Sequence, residues 1–190
     1  MKKSSPVVII GKGPGATGTT SECPHLVCAL NGAINICGRV DYWFANDYTA
    51  FGEFNPVKLL NVRVGIVLPE YLHLDTGGKK LIYYADTIAG LTHGPYSVYT
   101  YNLHTSKKKN PAIPDFGRIM TVGETAVCWM LRSGHRDFLL SGVGKKWGYE
   151  NRFVGLAQTR KDVGHFQRAF EALKKRVSDC DGTIGTWKGT

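Results

Sequence analysis

The sequence lacks Cys-x-x-Cys pairs, long apolar runs and an acidic surplus. Its five cysteines have no paired spacing, which excludes a structural zinc site of two close pairs. We therefore expect reduced thiols in a cytoplasmic protein. After the basic start "MKKSSP" the apolar run is too short for a secretion signal, and none approaches the ~18 apolar residues of a membrane span.

Acidic residues are outnumbered: 15 Asp and Glu face 24 Lys and Arg, for a net charge of +9. Such a surplus favours a polyanionic partner such as a nucleotide, a nucleic acid or an acidic membrane surface, although a merely basic surface would give the same count. The 190 residues, 43% of them hydrophobic and without repeats, predict a single domain over 1–190.

Apolar runs and helical periodicity alternate along the chain, which predicts an α/β fold. Predicted helices lie at 121–134, with a capping-box spacing from Thr121 to Glu124, and within 161–179. The tail "GTIGTWKGT" predicts a last edge strand. The other predicted strands cover 6–10, 25–34, 40–47, 60–70, 79–86 and 135–144.

Residues 87–118 are rich in Gly, Pro and Tyr and predict a long, lid-like loop. Three tyrosines precede a run of three lysines there. Such a pattern could stack on and neutralise a nucleic acid or a nucleotide, or it could be an edge strand followed by a solvated basic loop. The residues are Tyr96, Tyr99, Tyr101, Lys107, Lys108 and Lys109.

The stretch "VVIIGKGPGATG" at 7–18 is a buried-strand pattern that runs into a glycine-rich loop. A P-loop would need Lys where Thr19 stands after Gly18. The dinucleotide fingerprint is matched by Gly11, Gly13 and Ala16, but it requires an acidic residue about twenty positions on, near Asn31. A tight turn without any ligand is the simplest alternative.

Four segments together resemble a known family: "IIGKGPG", "ALNGAIN", "VDYWFAND" and "TVGETAVCWMLRSGHRDFLLSGVG". They are similar to bacterial sialyltransferases of glycosyltransferase family 42, and to 6-hydroxymethylpterin diphosphokinase-like proteins with the same variant Rossmann sheet. Two positions depart from that pattern. Gly15 replaces a serine, and Gly144 replaces an aspartate.

The resemblance implies a single-domain, variant Rossmann-like fold with a mostly parallel sheet flanked by helices. It implies transfer of a sugar from a CMP- or UDP-type nucleotide sugar to an acceptor hydroxyl, which could belong to a polyanion such as a nucleic acid. No cofactor or metal is expected for that reaction. A diphosphokinase would instead use ATP and Mg²⁺, and a third alternative is a non-catalytic, basic nucleic-acid-binding protein on the same sheet.

Residues that follow the predicted strands, or begin a predicted helix, are the expected nucleotide site, because ligands enter parallel sheets at the carboxyl edge. Glycines would allow close approach, Lys12 would stabilise the leaving phosphate, and a helix N-terminus favours an anion. Turn formation and helix capping explain the same residue types. The predicted set is Gly11, Lys12, Gly13, Gly15, Asn31, Asn35, Asn46, Asp47, Thr121, Gly123, Ser141 and Gly142.

His165 is the predicted general base. Imidazole titrates near neutral pH and can take a proton from an acceptor hydroxyl. The resemblance implies the same role, because the base of the sialyltransferases precedes the closing helix. An ordinary capping or surface histidine is the alternative.

Overall fold

Seven parallel strands form the central sheet of the computed structural model, which describes residues 5–45, 56–69, 71–73, 81–83, 96–101, 112–113, 117–119, 121–143 and 163–189. Their order is β11-β10-β1-β2-β3-β4-β7, and every neighbouring pair runs parallel. The seven strands are β1 Val7–Ile10, β2 Leu26–Leu30, β3 Val40–Phe44, β4 Val62–Pro69, β7 Ser97–Tyr101, β10 Asp137–Ser141 and β11 Thr183–Thr186.

Among the residues that the structure describes, the remaining elements are two α-helices, two 3₁₀ helices and two short antiparallel strand pairs. The helices are α1 Val122–Arg132 and α2 Val163–Ser178, and the 3₁₀ helices are Asn31–Ile36 and Pro56–Asn61. The short strands are β5 Tyr71–His73, β6 Leu81–Tyr83, β8 Ala112–Ile113 and β9 Gly117–Arg118. This Rossmann-like α/β architecture confirms the predicted fold class.

The strand order reverses beside β1. The chain winds outward from β1 through β2, β3 and β4 to β7, then returns to place β10 and β11 on the other side of β1. In open parallel sheets the ends of strands at such a reversal leave a crevice, and ligands bind there. The loops that follow β1 and β10 therefore meet at the position where this fold accepts ligands.

The two faces of the sheet are covered differently. The helix face, which carries Ile9, Cys28 and Phe44, packs against α1 and α2. The loop face, which carries Val8, Val27 and Trp43, packs against the two 3₁₀ helices and Trp187. β1 contributes to both faces and all four of its residues are fully buried, because parallel strands are covered on two sides.

Local sequence explains the ends of α1. The Thr121 hydroxyl accepts a hydrogen bond from the Glu124 N–H (3.2 Å), and the Glu124 carboxylate accepts one from the Thr121 N–H (3.1 Å). This is the predicted capping box. At the other end Gly134 has a positive φ of 92° and its N–H donates to Leu131 O, which closes the helix.

Two expectations differ from the structure. β2 ends at Leu30, because Asn31 leaves the extended conformation and begins a 3₁₀ helix. The range 87–118 contains β7 at one edge of the main sheet, as well as β8 and β9, so it is not irregular throughout. The edge-strand interpretation of the tyrosines is thus confirmed, while Lys107, Lys108 and Lys109 lie outside the described residues and the lid stays a prediction.

The C-terminal edge strand is confirmed as β11. Among the residues that the structure describes, no helix combines the length and the apolar character needed to cross a bilayer.

Candidate functional site

The glycine-rich loop after β1 is hydrogen-bonded to the loop after β10. The Gly11 N–H donates to Ser141 O, and the Gly13 N–H donates to Gly142 O, both across 2.8 Å. The Thr17 N–H donates to the Ser141 hydroxyl (2.9 Å). The two loops that border the crevice therefore form one unit, and the structure brings Ser141 and Gly142 beside Gly11 and Gly13.

Close backbone contact requires glycine at these positions. A Cβ at Gly11 or Gly13 would lie 2.5 or 2.7 Å from the Gly142 carbonyl oxygen. Gly142 has a positive φ of 61°, and a Cβ there would lie 2.6 Å from Gly11 O. These three glycines therefore serve loop-to-loop packing, which is a sufficient physical reason for the pattern that resembles a phosphate-binding motif.

The loop differs from a dinucleotide-binding turn in two ways. The N–H groups of Gly11 and Gly13 already have carbonyl acceptors in this conformation, and the Ala16 N–H donates to Gly13 O (3.1 Å). Residues 11–25 contain no helix, so the helix N-terminus that would hold a pyrophosphate is not formed there. Gly15 is exposed with a φ of 79°, and a Cβ there would meet nothing within 4 Å.

Asn31 lies directly after β2 in an unusual state. Its φ is +49°, in the left-handed region that few residues other than glycine, asparagine and aspartate adopt. Its side-chain oxygen Oδ1 is buried and has no hydrogen-bond partner among the described residues. Its backbone carbonyl accepts a hydrogen bond from the Trp43 indole (2.9 Å), which holds the turn in place. Backbone strain and an unsatisfied polar atom at one residue are typical of functional sites.

The N-terminus of α1 lies at the same edge of the sheet. A Cβ on Gly123 would lie 3.2 Å from Val143 Cγ1 and 3.8 Å from Leu30 Cδ1, which places this first turn between the end of β2 and the loop after β10. Thr121 is half-buried beside it. The structure thus brings the predicted residues Thr121 and Gly123 close to the neighbours of Asn31 and Gly142.

A buried ion pair holds this turn against α2. Glu124 is fully buried, and its Oε1 pairs with the Arg176 guanidinium, whose side chain is 18% exposed. The same carboxylate caps α1 through Oε2. The sequence predicted the cap from its local spacing, but it held no signal for a partner 52 positions away. Nor did it single out Val143, whose contact with Gly123 depends on tertiary packing.

The predicted base lies on α2. His165 belongs to the first turn of that helix rather than preceding it. The other end of α2 lies at the amino edge of the sheet, because Gly182 N–H donates to Val177 O and Thr183 N–H to Arg136 O. At 1.5 Å per residue α2 is about 24 Å long, against ~16 Å for the neighbouring β10, so its first turn can reach the carboxyl edge.

Other predicted residues are less informative. Lys12 and Asn35 are half-buried, Lys12 in the glycine-rich loop and Asn35 in the 3₁₀ helix after β2. Asn46, Asp47 and Gly144 lie outside the described residues. Within the described ranges no three His, Cys, Asp or Glu side chains come close enough to form a metal site.

Comparisons add no family to this description: no protein-family model matches the chain, and no match was found among curated proteins or solved structures. The class of protein is therefore defined by the fold alone, as a Rossmann-like α/β protein with a seven-stranded parallel sheet. The resemblance to family 42 sialyltransferases stays a prediction.

Proposed function

We propose that this protein is a nucleotide-sugar-dependent transferase that binds its donor at the carboxyl edge of the sheet and transfers a sugar to an acceptor hydroxyl. The observation that carries the proposal is Asn31, which follows β2, the strand next to β1. It combines a left-handed backbone with a buried Oδ1 that has no partner among the described residues. The family resemblance of the surrounding segments supplies the reaction class.

The energetic argument rests on two costs at one residue. A left-handed conformation costs most non-glycine residues about 1–2 kcal/mol, although asparagine tolerates it better than most, and a buried polar atom without a partner costs roughly 1–3 kcal/mol. A ligand that donates a hydrogen bond to Oδ1 would offset the second cost. A ribose hydroxyl or a base amino group is such a donor, and both are parts of a nucleotide.

The phosphate of the donor fits the first turn of α1 better than the glycine-rich loop. The N–H groups of Gly11 and Gly13 already donate to carbonyls. At α1 the capping box uses the Glu124 N–H, but the positive dipole end of the helix still points toward this edge beside Gly123. Lys12 comes from the adjacent loop and would add positive charge. This arrangement leaves the hydrogen bonds between the loops after β1 and β10 intact when the nucleotide binds.

In the proposed reaction the acceptor oxygen forms a bond to the anomeric carbon of the donor. The bond from that carbon to the phosphate oxygen breaks, and the nucleotide leaves with the electron pair. His165 takes the proton of the acceptor hydroxyl. Charge that develops on the leaving phosphate is stabilised by the α1 N-terminus and Lys12.

A thermal-shift panel of CMP, UDP, GDP and ATP, with and without Mg²⁺, tests the proposal. A nucleotide at 100 times its dissociation constant stabilises by about 2.7 kcal/mol, or roughly 5–10 °C in Tm for a chain of this size. A response to CMP or UDP alone supports the sugar transferase. A response to ATP that requires Mg²⁺ favours the diphosphokinase instead, and no response to any nucleotide contradicts both.

Asn31→Gly separates the role of the side chain in binding from its role in folding. Glycine adopts a positive φ without strain, so the variant should be at least as stable as the parent while losing the nucleotide response. Asp181→Gly is the matched control, because Asp181 has a φ of 56° and lies after α2, at the opposite edge. An undiminished shift in Asn31→Gly would remove the main support for the site.

His165→Ala tests the catalytic assignment once a donor and an acceptor are known. A general base contributes about 10²–10⁴-fold to the rate, so transfer should fall by that factor while nucleotide binding is unchanged. Wild-type turnover in the variant would exclude His165 as the base.

A further inference from the structure

A second surface on the helix face of the sheet combines exposed aromatic rings with arginines. Tyr99 of β7 and Trp129 of α1 form its centre, with ring centroids 5.6 Å apart and ring planes inclined by 57°. Tyr99 is 37% exposed, and Trp129 is partly exposed. Trp129 packs partly against the helix-face core, so an aromatic surface that is open to solvent at Tyr99 continues into that core. Exposed apolar surface of this kind marks an interaction site.

A glycine of the neighbouring strand makes room for these rings. A Cβ on Gly65 of β4 would lie 2.6 Å from Tyr99 Cε2 and 3.1 Å from Tyr42 Cε1. Only the bare backbone therefore allows both tyrosine rings to lie over β4. Tyr42 is half-buried, and it extends the aromatic surface from Tyr99 across the sheet toward β3.

Two exposed arginines lie on the elements that surround these rings. Arg132 follows Trp129 by three residues on α1, which places it on the neighbouring turn, and Arg63 lies on β4 just before Gly65, where the register with β3 shifts. Neither forms an ion pair with a described carboxylate. The nearby buried acids Asp41 and Glu124 are paired with other arginines of their own. The positive charge of this surface is therefore available to a partner.

From these observations we infer that the surface formed by Tyr42, Arg63, Tyr99, Trp129 and Arg132 binds single-stranded nucleic acid. Unpaired bases stack on aromatic rings irrespective of sequence, and arginines neutralise the phosphates between them. A net charge of +9 adds long-range attraction for such a polyanion. The bases of a duplex are stacked on each other and could not reach the rings.

This surface is separate from the proposed nucleotide site. Trp129 lies seven residues after Val122, or about 10 Å along α1 from the N-terminus of the helix. Binding of a single strand there does not depend on the transferase proposal. The two functions can be tested independently because they use different residues.

Fluorescence anisotropy with labelled oligo-dT and oligo-rU of about 20 nucleotides, and with a duplex of equal length, tests the inference. We expect both single strands to bind more tightly than the duplex. Binding should weaken between about 50 and 200 mM salt, with a logarithmic slope of roughly 0.7 per phosphate contact. Equal affinity for duplex and single strand would overturn the inference, because charge alone would then explain binding.

Substitutions distinguish stacking from charge. Tyr99→Leu keeps apolar cover over Gly65 but removes the ring, and it should weaken single-strand binding roughly ten-fold or more. Tyr99→Phe should retain binding. Arg132→Ser should lower the salt slope by about 0.7, while Lys188→Ser, an equal loss of charge on the exposed C-terminal tail, should leave affinity and slope nearly unchanged.

Intrinsic fluorescence gives a second readout that needs no destabilising variant. Bases stacked beside Trp129 should quench part of the tryptophan emission when oligo-dT is added to the parent protein. Trp129→Phe should lose that quenching while it still binds. Absence of quenching together with unchanged affinity in Tyr99→Leu would refute the surface, and so would an absence of any oligonucleotide binding.

Discussion

The N–H of Gly13 donates a hydrogen bond to the carbonyl oxygen of Gly142 across 2.8 Å, and this bond joins the loops that follow two adjacent strands, β1 and β10. These residues are 129 positions apart in the chain. Their contact accounts for the glycine-rich pattern through packing of one backbone on another. A bulky substitution at Gly13 would therefore disturb the fold and the crevice together.

Gly142→Ala should be considerably more destabilising than Gly134→Ala. Both glycines have a positive φ, which costs alanine about 1 kcal/mol. At Gly134 a Cβ meets nothing within 4 Å, whereas at Gly142 it would lie 2.7 Å from Ala16 Cβ and 2.6 Å from Gly11 O. We expect about 1 kcal/mol for Gly134→Ala and roughly 3 kcal/mol or more for Gly142→Ala in urea unfolding. Equal losses would contradict the loop packing.

Arg176→Met should destabilise the protein by about 3 kcal/mol, because it leaves the fully buried Glu124 carboxylate without its cation. Lys175→Met is the matched control on the same helix. Lys175 pairs with Asp179 at the surface, with side chains 75% and 54% exposed, so its loss should cost less than about 1 kcal/mol. The measurement is the free energy of unfolding in urea, and similar values for the two variants would exclude a structural role for the buried pair.

Stability should decrease as the pH falls below the ordinary histidine pKa, in part because of His135. Burial, and then the nearby Arg136 charge, lower the pKa of His135 from its usual 6.5. The unfolded chain therefore binds a proton at a higher pH than the folded one, and the stabilisation present above pH 6.5 is lost as the pH falls through the folded-state pKa. His135→Gln should flatten this part of the stability profile, and an unaltered slope would show that other groups cause it.

Thiol labelling should separate Cys180 from the other four cysteines. Burial raises the pKa of Cys28, and it raises the pKa values of Cys37 and Cys128 to about 12, so few thiolates form. Cys23 is only 1% exposed, whereas Cys180 is partly accessible. With a maleimide at roughly neutral pH we expect one fast site in the native protein, absent from Cys180→Ser, and five sites after unfolding. Fast labelling of the Cys180→Ser variant would show that a buried thiol becomes exposed.

Much of the fold could be predicted because its signals are local. The uninterrupted apolar run "VVII" predicted a strand that is covered on both faces, and in the structure all four residues of β1 are buried. The spacing from Thr121 to Glu124 defined the capping box of α1. Spacing alone did not predict which face of the sheet each tyrosine occupies. Tyr99 faces Trp129 and Tyr101 is buried on the helix face, while Tyr96 packs against the loop face.

The sequence alone determined most strands of the central sheet and the cap of α1, because apolar periodicity and capping act within a few residues. It also singled out Asn31 as a candidate site residue, although it extended the second strand to residue 34. Only the tertiary structure decided that its Oδ1 is buried without a partner and that the glycine N–H groups donate to the β10 loop. The glycine contacts join groups that are more than a hundred positions apart, and no local pattern encodes which backbone atoms will meet.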